Sequence, residues 1–447
     1  MMKPFIVVQG PVATRSGYGN HTRDLVTALI NADKYDIQII SLPWGQCPTN
    51  ALEADNVDHQ AISQRIARGN INRQPDVFIQ VSVPNEFQTH GKYNIGITAG
   101  IETTQVSADF IEGCNRMDMN IVTSKHSLEG FVKTVYDKVN DKTKEKESEV
   151  KLSKPMQVLF EGLDLNVYKK MSIDTYTHQD EDTRMVPSEL SSIKDEFCFL
   201  YTGHWLKGSI GQDRKDVGML IKTFCESFKH KQLKNRPGLI LKTSHATFSI
   251  IDRDEIIKKI QQITAPYGDK VPNIYLLHGD LTDEEMNSLY NHPKIKAMVS
   301  FTKGEGFGRP LLEFGITGKP IIASDWSGHK DFLKYATLLP GELTQVHKSA
   351  ADKFILRESK WFTVNYGYAS KVLQDVVSNY KKYHEQSRKQ SHHIKTNFSL
   401  DLMADKFCEI VDNALRTIPQ QTTLKLPKLK KVTEMPKLKL PKLKKVN

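Results

Sequence analysis

The sequence predicts an α/β protein with two domains, each built around a largely parallel β-sheet. Short runs rich in β-branched residues alternate with amphipathic stretches, and this alternation is typical of βαβ units. It stops in a polar, acidic stretch at residues 169–194 and then resumes, which indicates a domain junction there. With 447 residues, of which 39% are hydrophobic, the chain is long enough to bury two cores.

The first half contains six candidate strands separated by segments with helical periodicity. In chain order they are Phe5–Gln9, Asp36–Ser41, Val77–Val81, Asn94–Thr98, Asn120–Thr123 and Met156–Phe160. A charged segment at residues 137–154 precedes the last of these strands and has little apolar content. We expect this segment to form an exposed excursion from the first domain.

The second half repeats the pattern. Its candidate strands are Phe197–Thr202, Gly238–Thr243, Ile274–Leu277, Ala297–Ser300 and Pro320–Ala323, with helices that include Val217–Phe228 and Asp283–Tyr290. A final helix, Leu400–Leu415, is predicted to follow an N-cap at Ser399. The predicted layout is a first domain, a junction, a second domain, a C-terminal helix and a tail, at residues 1–170, 171–194, 195–398, 399–418 and 419–447.

The composition argues for a protein of the reducing cytoplasm. No window approaches the roughly 18 uncharged apolar residues that a membrane-spanning helix needs, so neither a membrane span nor secretion is expected. The five cysteines are scattered and never spaced as CxxC, which predicts neither a disulfide framework nor a zinc site. An acidic run at residues 180–182 falls in the polar junction and is interpreted as a solvated linker rather than a metal site.

The net charge of +10 is concentrated at the C-terminus. Residues 421–447 contain nine lysines and one acid, so the rest of the chain is close to neutral. This tail holds the sequence LKLPKLKKV twice, at 424–432 and 438–446. The proline in each copy prevents a continuous helix and the lysines cannot bury, which predicts a flexible arm. Such an arm beside a nearly neutral protein suggests a polyanionic partner.

The most informative motif is the stretch FTKGEGFGRPLLEFGITGKPIIASDWSG, residues 301–328. It follows a predicted strand, places three glycines within five positions, and then begins a helix with the pair Arg-Pro, which suits a first helical turn. Such a loop can bring backbone N–H groups and a helix N-terminus toward a phosphate or a polar sugar. Glu305 lies in the loop, and Glu313 lies about one turn into the helix, on the side that faces the loop's ligand.

Within this stretch, GEGFGRPLLE resembles the paired-glutamate motif of the family-4 retaining glycosyltransferases, which have the GT-B fold of two Rossmann-like domains facing a cleft. The resemblance implies that Glu305 contacts hydroxyl groups of the donor sugar and that Glu313 binds the nucleotide ribose. It also implies that Gly306, Phe307 and Gly308 lie against the donor. A glycine-rich turn with two solvated acids is the alternative interpretation of the same residues.

Two further segments resemble the family's donor-phosphate region. In the first domain, GPVATRSGYGNHTRDLV follows the first predicted strand, and its Gly17 and Gly19 are implied to approach the donor phosphates. Taken without the resemblance, the same residues favour a plain turn from strand to helix. In the second domain, FLYTGHWLKGSIGQDRKDVGMLIKTF resembles the segment with the basic pair for the leaving diphosphate, here Arg214 and Lys215. Many family members have arginine directly after the glycine, where this sequence has His204, so that role moves to Arg214 and Lys215.

The remaining matches concern the nucleobase and the acceptor. VPNIYLLHGDLTDEEMNSLYNH resembles the base-binding strand, which implies that His278 and Gly279 lie beside the base. A histidine with a structural role is the alternative for His278. YNIGITAGIETTQVSADF has Glu102 after a predicted strand, near where many relatives place a catalytic histidine, so Glu102 is implied to act near the transferred sugar. FEGLDLNVY, with Asp164 and Tyr168, resembles the crossover between the domains.

Together these matches imply a retaining glycosyltransferase whose first domain faces the acceptor and whose second domain binds the nucleotide sugar. The donor is expected to be a nucleoside diphosphate sugar such as a UDP-sugar. No cofactor or metal ion is required in this scheme, because Lys215, Arg214 and backbone N–H groups supply positive charge to the departing diphosphate.

Several acceptors of different class remain open. One is a hydroxymethylated base in DNA, as in the phage enzymes that glycosylate hydroxymethylcytosine, with tail lysines on the phosphates. The host cytoplasm is then the expected location. Another is a lipid-linked or cell-surface saccharide at an anionic membrane surface. The tail lacks the aromatic residues that membrane-inserting segments use, which favours DNA. A tail that docks a protein partner, and a non-catalytic scaffold that binds sugar nucleotides, are the remaining alternatives.

Overall fold

The computed structural model describes residues 3–140, 142–172, 189–232, 236–245 and 248–419. The acidic run at 180–182, most of the predicted junction and the lysine-rich tail lie outside these ranges. Within them the predicted α/β fold is confirmed, because two separate six-stranded sheets are each entirely parallel. None of the helices in the described ranges is long and apolar enough to cross a membrane.

The first sheet lies in the N-terminal half. The strands of this half are β1 Phe5–Gly10, β2 Asp36–Ser41, β3 Val77–Val81, β4 Tyr93–Thr98, β5 Met119–Val122, β6 Val135–Val139, β7 Lys146–Lys151 and β8 Met156–Val158. The sheet has the order β2-β1-β3-β4-β5-β8. Its helices are α1 Gly17–Asn31, α2 Val57–Ser63, α3 Ala108–Arg116 and α4 Lys125–Lys133. The inner strands are buried along their length, as expected for a parallel sheet covered on both faces.

The second sheet lies in the C-terminal half. The strands here are β9 Cys198–Thr202, β10 Gly238–Lys242, β11 Ile274–Leu277, β12 Ile295–Ser300, β13 Ile321–Ser324, β14 Thr337–Leu339, β15 Gly341–Gln345 and β16 Lys360–Val364. The sheet has the order β11-β10-β9-β12-β13-β14, the doubly wound order of a Rossmann fold. The order reverses between β9 and β12, which opens a crevice at the carboxyl ends of these two strands.

Seven helices accompany the second half within the described residues. They are α5 Val217–Phe228, α6 Ile250–Thr264, α7 Asp283–Asn291, α8 Arg309–Gly315, α9 Tyr366–Ser378, α10 Tyr380–Asn397 and α11 Leu400–Thr417. Short 3₁₀ helices occur at Pro84–Glu86, Ala265–Lys270 and Gly328–Asp331. The predicted N-cap of the last helix is confirmed, since the Ser399 hydroxyl accepts a hydrogen bond from the Leu402 N–H at 3.3 Å.

The eleven strands predicted above are confirmed, each with its ends within two residues of the predicted ones. The sequence did not predict two antiparallel hairpins, β6–β7 and β15–β16. The first hairpin is the charged segment expected to be exposed, and its side chains are indeed largely exposed. The strands of that hairpin face water on most sides and lack the apolar runs by which buried strands are recognised. That reason does not extend to β16, where Trp361, Phe362 and Val364 are buried, and the short strand β14 was not predicted either.

The chain crosses between the two halves at two places that are bonded to each other. Leu163 lies on the first crossing, and its N–H donates to Phe398 O at 2.8 Å on the second. The Leu400 N–H returns a bond of 2.8 Å to Leu163 O. Beyond this point α11 packs against α1, with Met403, Phe407 and other apolar residues buried in the core of the first sheet.

Candidate active site

The four residues predicted for catalysis lie together where the two halves meet. Lys215 precedes α5 and Glu305 follows β12, so both lie at the crevice where the strand order reverses. The Lys215 ammonium group forms an ion pair with the Glu305 carboxylate. The Arg214 guanidinium lies 3.3 Å from the same carboxylate and 3.7 Å from Glu102, which comes from the first half. We refer to these four residues as the Glu305 cluster.

The charges of the Glu305 cluster are set by burial and by one another. Burial by itself would raise the pKa of Glu305, but Lys215 and Arg214 lower it to about 2. Burial lowers the pKa of Lys215, although Glu305 opposes that effect. The side chains of Glu305 and Lys215 are only 10% and 11% exposed, so little water screens their charges. An ionised carboxylate is therefore fixed between two basic groups at neutral pH.

Two strained backbone positions fix the cluster. Asp216, directly after Lys215, has φ of 54° and caps α5 in the left-handed region, where non-glycine residues are uncommon. Lys303 at 3.2 Å and the Tyr366 hydroxyl at 2.6 Å hold its carboxylate. Ser327 has φ of 77°, and its hydroxyl accepts a hydrogen bond from the Glu305 N–H at 2.9 Å. Such conformations persist only where the surroundings compensate for them, and they concentrate at functional sites.

The glycines of the 301–328 motif let the two halves approach closely. A Cβ atom at Gly304 would lie 1.9 Å from Glu102 O, and one at Gly306 would lie 2.2 Å from Ala99 O. Gly308 has φ of 97° and precedes α8, a conformation that favours glycine. Phe307 is buried against Phe332, so contact with a donor from this position has to come from its backbone. Glycine is thus needed here for cross-domain packing as well as for the turn.

Glu313 belongs to a second buried cluster, centred on Arg309. The Arg309 guanidinium lies 2.5 Å from Asp24 of α1, 3.1 Å from Glu313 and 3.9 Å from Glu161. The Tyr290 hydroxyl donates to the other Glu313 oxygen at 3.0 Å. Asp24 and Glu161 come from the first half and Glu313 from the second, so Arg309 joins the two halves. We call these four charged residues the Arg309 cluster.

Sequence reasoning placed Glu313 in this region but missed its partners. Burial raises the pKa of Glu313 and of Glu161 to about 7, against the lowering effect of Arg309. One signal for Glu161 was present, since it is an acid directly after an apolar strand. The motif FEGLDLNVY pointed instead to Asp164 and Tyr168 of the same segment. Tyr168 is buried and its hydroxyl donates to Asp283 at 2.9 Å.

The glycine-rich loop of the first half also reaches the second half. Arg15 lies 2.9 Å from Asp280, which follows β11. Gly17 is exposed at the start of α1, and no atom lies within 4 Å of where its Cβ would stand. Gly19 is packed differently, since a Cβ there would lie 2.1 Å from Thr14 O. Of the two predicted glycines, Gly17 leaves open space beside the crevice and Gly19 permits a tight turn.

His278 is engaged by a protein partner. Its Nε2 atom lies 2.9 Å from Asp252, and its side chain is 5% exposed. Asp252 also lies 2.6 Å from His245, so one carboxylate joins two imidazoles. Gly279, by contrast, borders open space, because no atom beyond the adjoining residues lies within 4 Å of where its Cβ would stand. A ligand beside this strand end would therefore meet the backbone around Gly279 rather than the His278 ring.

His204 lies near the basic pair without joining its ion pairs. Its Nδ1 atom is 3.2 Å from the Ser244 hydroxyl. Burial and the neighbouring Lys215 lower the pKa of His204, which keeps the imidazole neutral at physiological pH. Where the resembled family often has arginine, this chain thus has a neutral imidazole beside Lys215.

A metal centre is not evident in the part of the chain that the structure describes, where no three His, Cys, Asp or Glu side chains are grouped to hold an ion. All five cysteines fall in that part and are free thiols.

The fold resembles that of known glycosyltransferases, although the overall sequence identity is low. No protein-family model and no curated protein matches the chain. The structure of sucrose-phosphate synthase from Thermosynechococcus elongatus is 13% identical, with a TM-score of 0.62, over 93% of this chain and 100% of that one. A glycosyltransferase from Rickettsia africae is also 13% identical, with a TM-score of 0.58, over 93% and 100%.

A third similar structure is that of Anabaena HepE in complex with UDP and glucose. It is 10% identical, with a TM-score of 0.56, and the match covers 92% of this chain and 100% of that one. These matches cover 92–93% of this chain, and they establish that it has the GT-B fold.

Proposed function

We propose that this protein is a retaining glycosyltransferase that moves a sugar from a nucleoside diphosphate sugar to a hydroxyl group. The observation that carries the proposal is the Glu305 cluster, which gathers two basic and two acidic side chains at the crevice between the two sheets of a GT-B fold. The HepE structure of the same fold holds UDP and glucose, which supports a UDP-sugar as the donor.

In this mechanism the bond between the anomeric carbon and the diphosphate oxygen breaks, and the acceptor oxygen bonds to the same face of the sugar. Lys215 and Arg214 stabilise the negative charge that develops on the departing diphosphate, and no metal ion is required for that step. The acceptor proton passes to a phosphate oxygen of the leaving group. Glu305, ionised at neutral pH, accepts hydrogen bonds from sugar hydroxyls, and Glu102 orients the sugar from the opposite domain.

The donor nucleotide is proposed to bind across the second domain. Glu313 accepts hydrogen bonds from the ribose, and the backbone at Gly279 lies beside the base. Backbone N–H groups of the 306–308 turn lie near the phosphates at the start of α8. The start of α1, with Gly17 and Gly19, contacts the same phosphates from the first domain.

Variants of the two glutamates test this division of roles. Glu313→Gln is expected to weaken UDP binding by about 1.5–3 kcal/mol, the value of a hydrogen bond to a charged group. Glu305→Gln is expected to reduce turnover more than UDP affinity. Calorimetric UDP binding and donor hydrolysis would be measured for both, with the exposed Glu409→Gln as control. Equal losses of UDP affinity in both variants would contradict the division, and absence of any donor hydrolysis by the wild type would favour the scaffold alternative.

For the acceptor we propose a hydroxymethylated base in DNA, modified in the cytoplasm. The support is positive charge in two regions. The first is the tail, which lies outside the described residues. The second is α10, which contains four lysines and one arginine but only one glutamate. Arg388, Lys389 and two histidines of this helix line a cavity of about 470 Å³ together with Tyr335. Phosphate groups along a nucleic acid backbone suit such surfaces.

Deleting residues 421–447 is expected to weaken binding to duplex DNA while UDP binding is retained. Each lysine–phosphate contact contributes a slope of about −0.9 to the dependence of log K on log salt, so the deletion should flatten that dependence. Binding would be measured over a salt series on DNA and on anionic vesicles. The double variant Arg388→Gln/Lys389→Gln tests α10. The double variant Lys222→Gln/Lys258→Gln is its control, because it removes the same number of positive charges elsewhere on the surface. Tighter tail-dependent binding to vesicles would favour the lipid-linked acceptor, and binding to neither would leave the tail as a docking peptide.

A further inference from the structure

Two aromatic side chains stack after β1 and β2 in the first half; one lies between the two glycines of the first-domain motif and the other lies in no motif. Tyr18 lies in the first turn of α1, after β1, and Trp44 lies in the loop after β2. Their ring centroids are 4.1 Å apart and their planes differ by 25°. Both residues are partly exposed. The chain next to each of them borders open space, since no atom beyond the adjoining residues lies within 4 Å of where a Cβ would stand on Gly17 or Gly45.

Tyr18 is bonded to the strand that leads to the Glu305 cluster. Its hydroxyl lies 2.8 Å from the Thr98 hydroxyl and accepts a hydrogen bond from the Ala99 N–H at 3.1 Å. Ala99 O is the atom that Gly306 approaches from the second half. Three residues further on is Glu102, within 3.7 Å of Arg214. The phenol ring is therefore fixed relative to the proposed site of sugar transfer.

Trp44 is fixed by the loop that carries it. The Cys47 N–H donates to Trp44 O at 3.0 Å, which closes a tight turn. The same loop bonds to the glycine-rich segment, since the Arg15 N–H donates to Pro48 O at 2.9 Å. The Arg15 side chain in turn reaches Asp280 of the second half. The stacked pair is thus linked to two contacts with the second half, to Arg15–Asp280 through the loop of Trp44 and to Ala99–Gly306 through the Tyr18 hydroxyl.

We propose that Trp44 and Tyr18 form a stacking platform for the ring of the acceptor, and that this ring is a nucleobase. The proposal rests on the glycosyltransferase function above and specifies its acceptor subsite. Carboxyl ends of parallel strands are where α/β folds bind ligands, and β1 and β2 end here. A base that receives a sugar has to leave the helical stack, and a flat aromatic platform replaces the stacking that it loses. The surplus of positive charge on the chain suits a ring that belongs to a polyanion.

The test compares Trp44→Ala and Trp44→Phe in the full-length protein, with a single-stranded oligonucleotide containing 5-hydroxymethylcytosine as acceptor. Stacking of one base is worth about 1–3 kcal/mol, or about 5- to 150-fold in affinity. We expect Trp44→Ala to raise the KM for the oligonucleotide by a factor in that range, with Trp44→Phe retaining most of the affinity. The oligonucleotide should also quench tryptophan fluorescence of the wild type more than that of Trp44→Ala. Tyr368→Ala, an exposed aromatic on α9, is the control and should leave the KM unchanged.

Thermal stabilisation by UDP serves to show that each variant is folded. Equal oligonucleotide KM values for the wild type and Trp44→Ala would overturn the platform. Quenching by a neutral oligosaccharide but not by the oligonucleotide would overturn the assignment of a nucleobase. Failure of the proposed function is distinguishable, because it appears as the absence of UDP-sugar hydrolysis in the wild type. The fluorescence comparison decides the platform in that case too, since it requires binding alone.

Discussion

Replacing Lys215 by methionine is expected to slow sugar transfer by about 100-fold or more. Methionine keeps much of the side-chain volume but removes the ammonium group that the mechanism assigns to the departing diphosphate. Loss of one preorganised charge-stabilising group at a buried site commonly costs this much in rate. The loss should fall on kcat rather than on the KM for the donor, because the charge on the diphosphate grows as the bond breaks. Steady-state kinetics with a UDP-sugar would measure it.

Controls separate this effect from misfolding and from metal chemistry. Lys222→Met changes an exposed lysine of the adjacent α5 and should leave kcat unchanged. UDP-induced thermal stabilisation should persist in Lys215→Met, because Arg214 still accompanies the Glu305 carboxylate. EDTA should not alter wild-type activity. A rate that vanishes in EDTA and returns with a divalent metal would contradict the role given to Lys215, as would a kcat close to that of the wild type.

Replacing Arg309 by methionine is expected to reduce the free energy of unfolding by about 3–5 kcal/mol at pH 8, because buried carboxylates lose their common partner. Asp24, Glu161 and Glu313 would all be affected. The loss should be smaller at pH 5.5. In the wild type the pKa values of Glu161 and Glu313 are about 7, so both carboxyls are mostly protonated at pH 5.5 and ionised at pH 8. Protonated carboxyls need no counter-charge, and the variant is then penalised less.

Urea unfolding of the wild type and Arg309→Met at the two pH values would measure this difference. Arg253→Met provides a control, since that arginine is about half exposed and pairs only with an exposed neighbour. Surface changes of this kind usually alter stability by less than 0.5 kcal/mol. A loss in Arg309→Met that is the same at pH 5.5 and pH 8 would show that the carboxylates do not cause it.

The sequence predicted those parts of the molecule that depend on local pattern. Apolar strand runs located both sheets, and the motif GEGFGRPLLE located Glu305 and the start of α8. The ion pairs that join Lys215, Arg214, Glu102 and Glu305 connect residues about 90 to 110 positions apart in the chain, and family resemblance, rather than periodicity, indicated them.

The parts that sequence could not predict depend on contacts between the halves. The sequence pattern indicates Arg309 only as the start of a helix, whereas its partner Asp24 comes from α1. The glycines at 304 and 306 could be read as a phosphate-binding turn, but their contact with the 99–102 segment needs both sheets in place. Trp44 stands in a loop without periodicity, so nothing local indicated that it stacks on Tyr18.

The paired crossings at Leu163 and Ser399 limit how the two lobes can move. A single connection would leave one lobe free to twist about the chain. Two parallel connections that are hydrogen-bonded to each other oppose that twist. Sliding or twisting would break the bonds between them, whereas rotation about their common line would preserve them. Any separation of the lobes by such a rotation would have to break the ion pairs Arg15–Asp280 and Arg309–Asp24, which join the two halves away from the crossings.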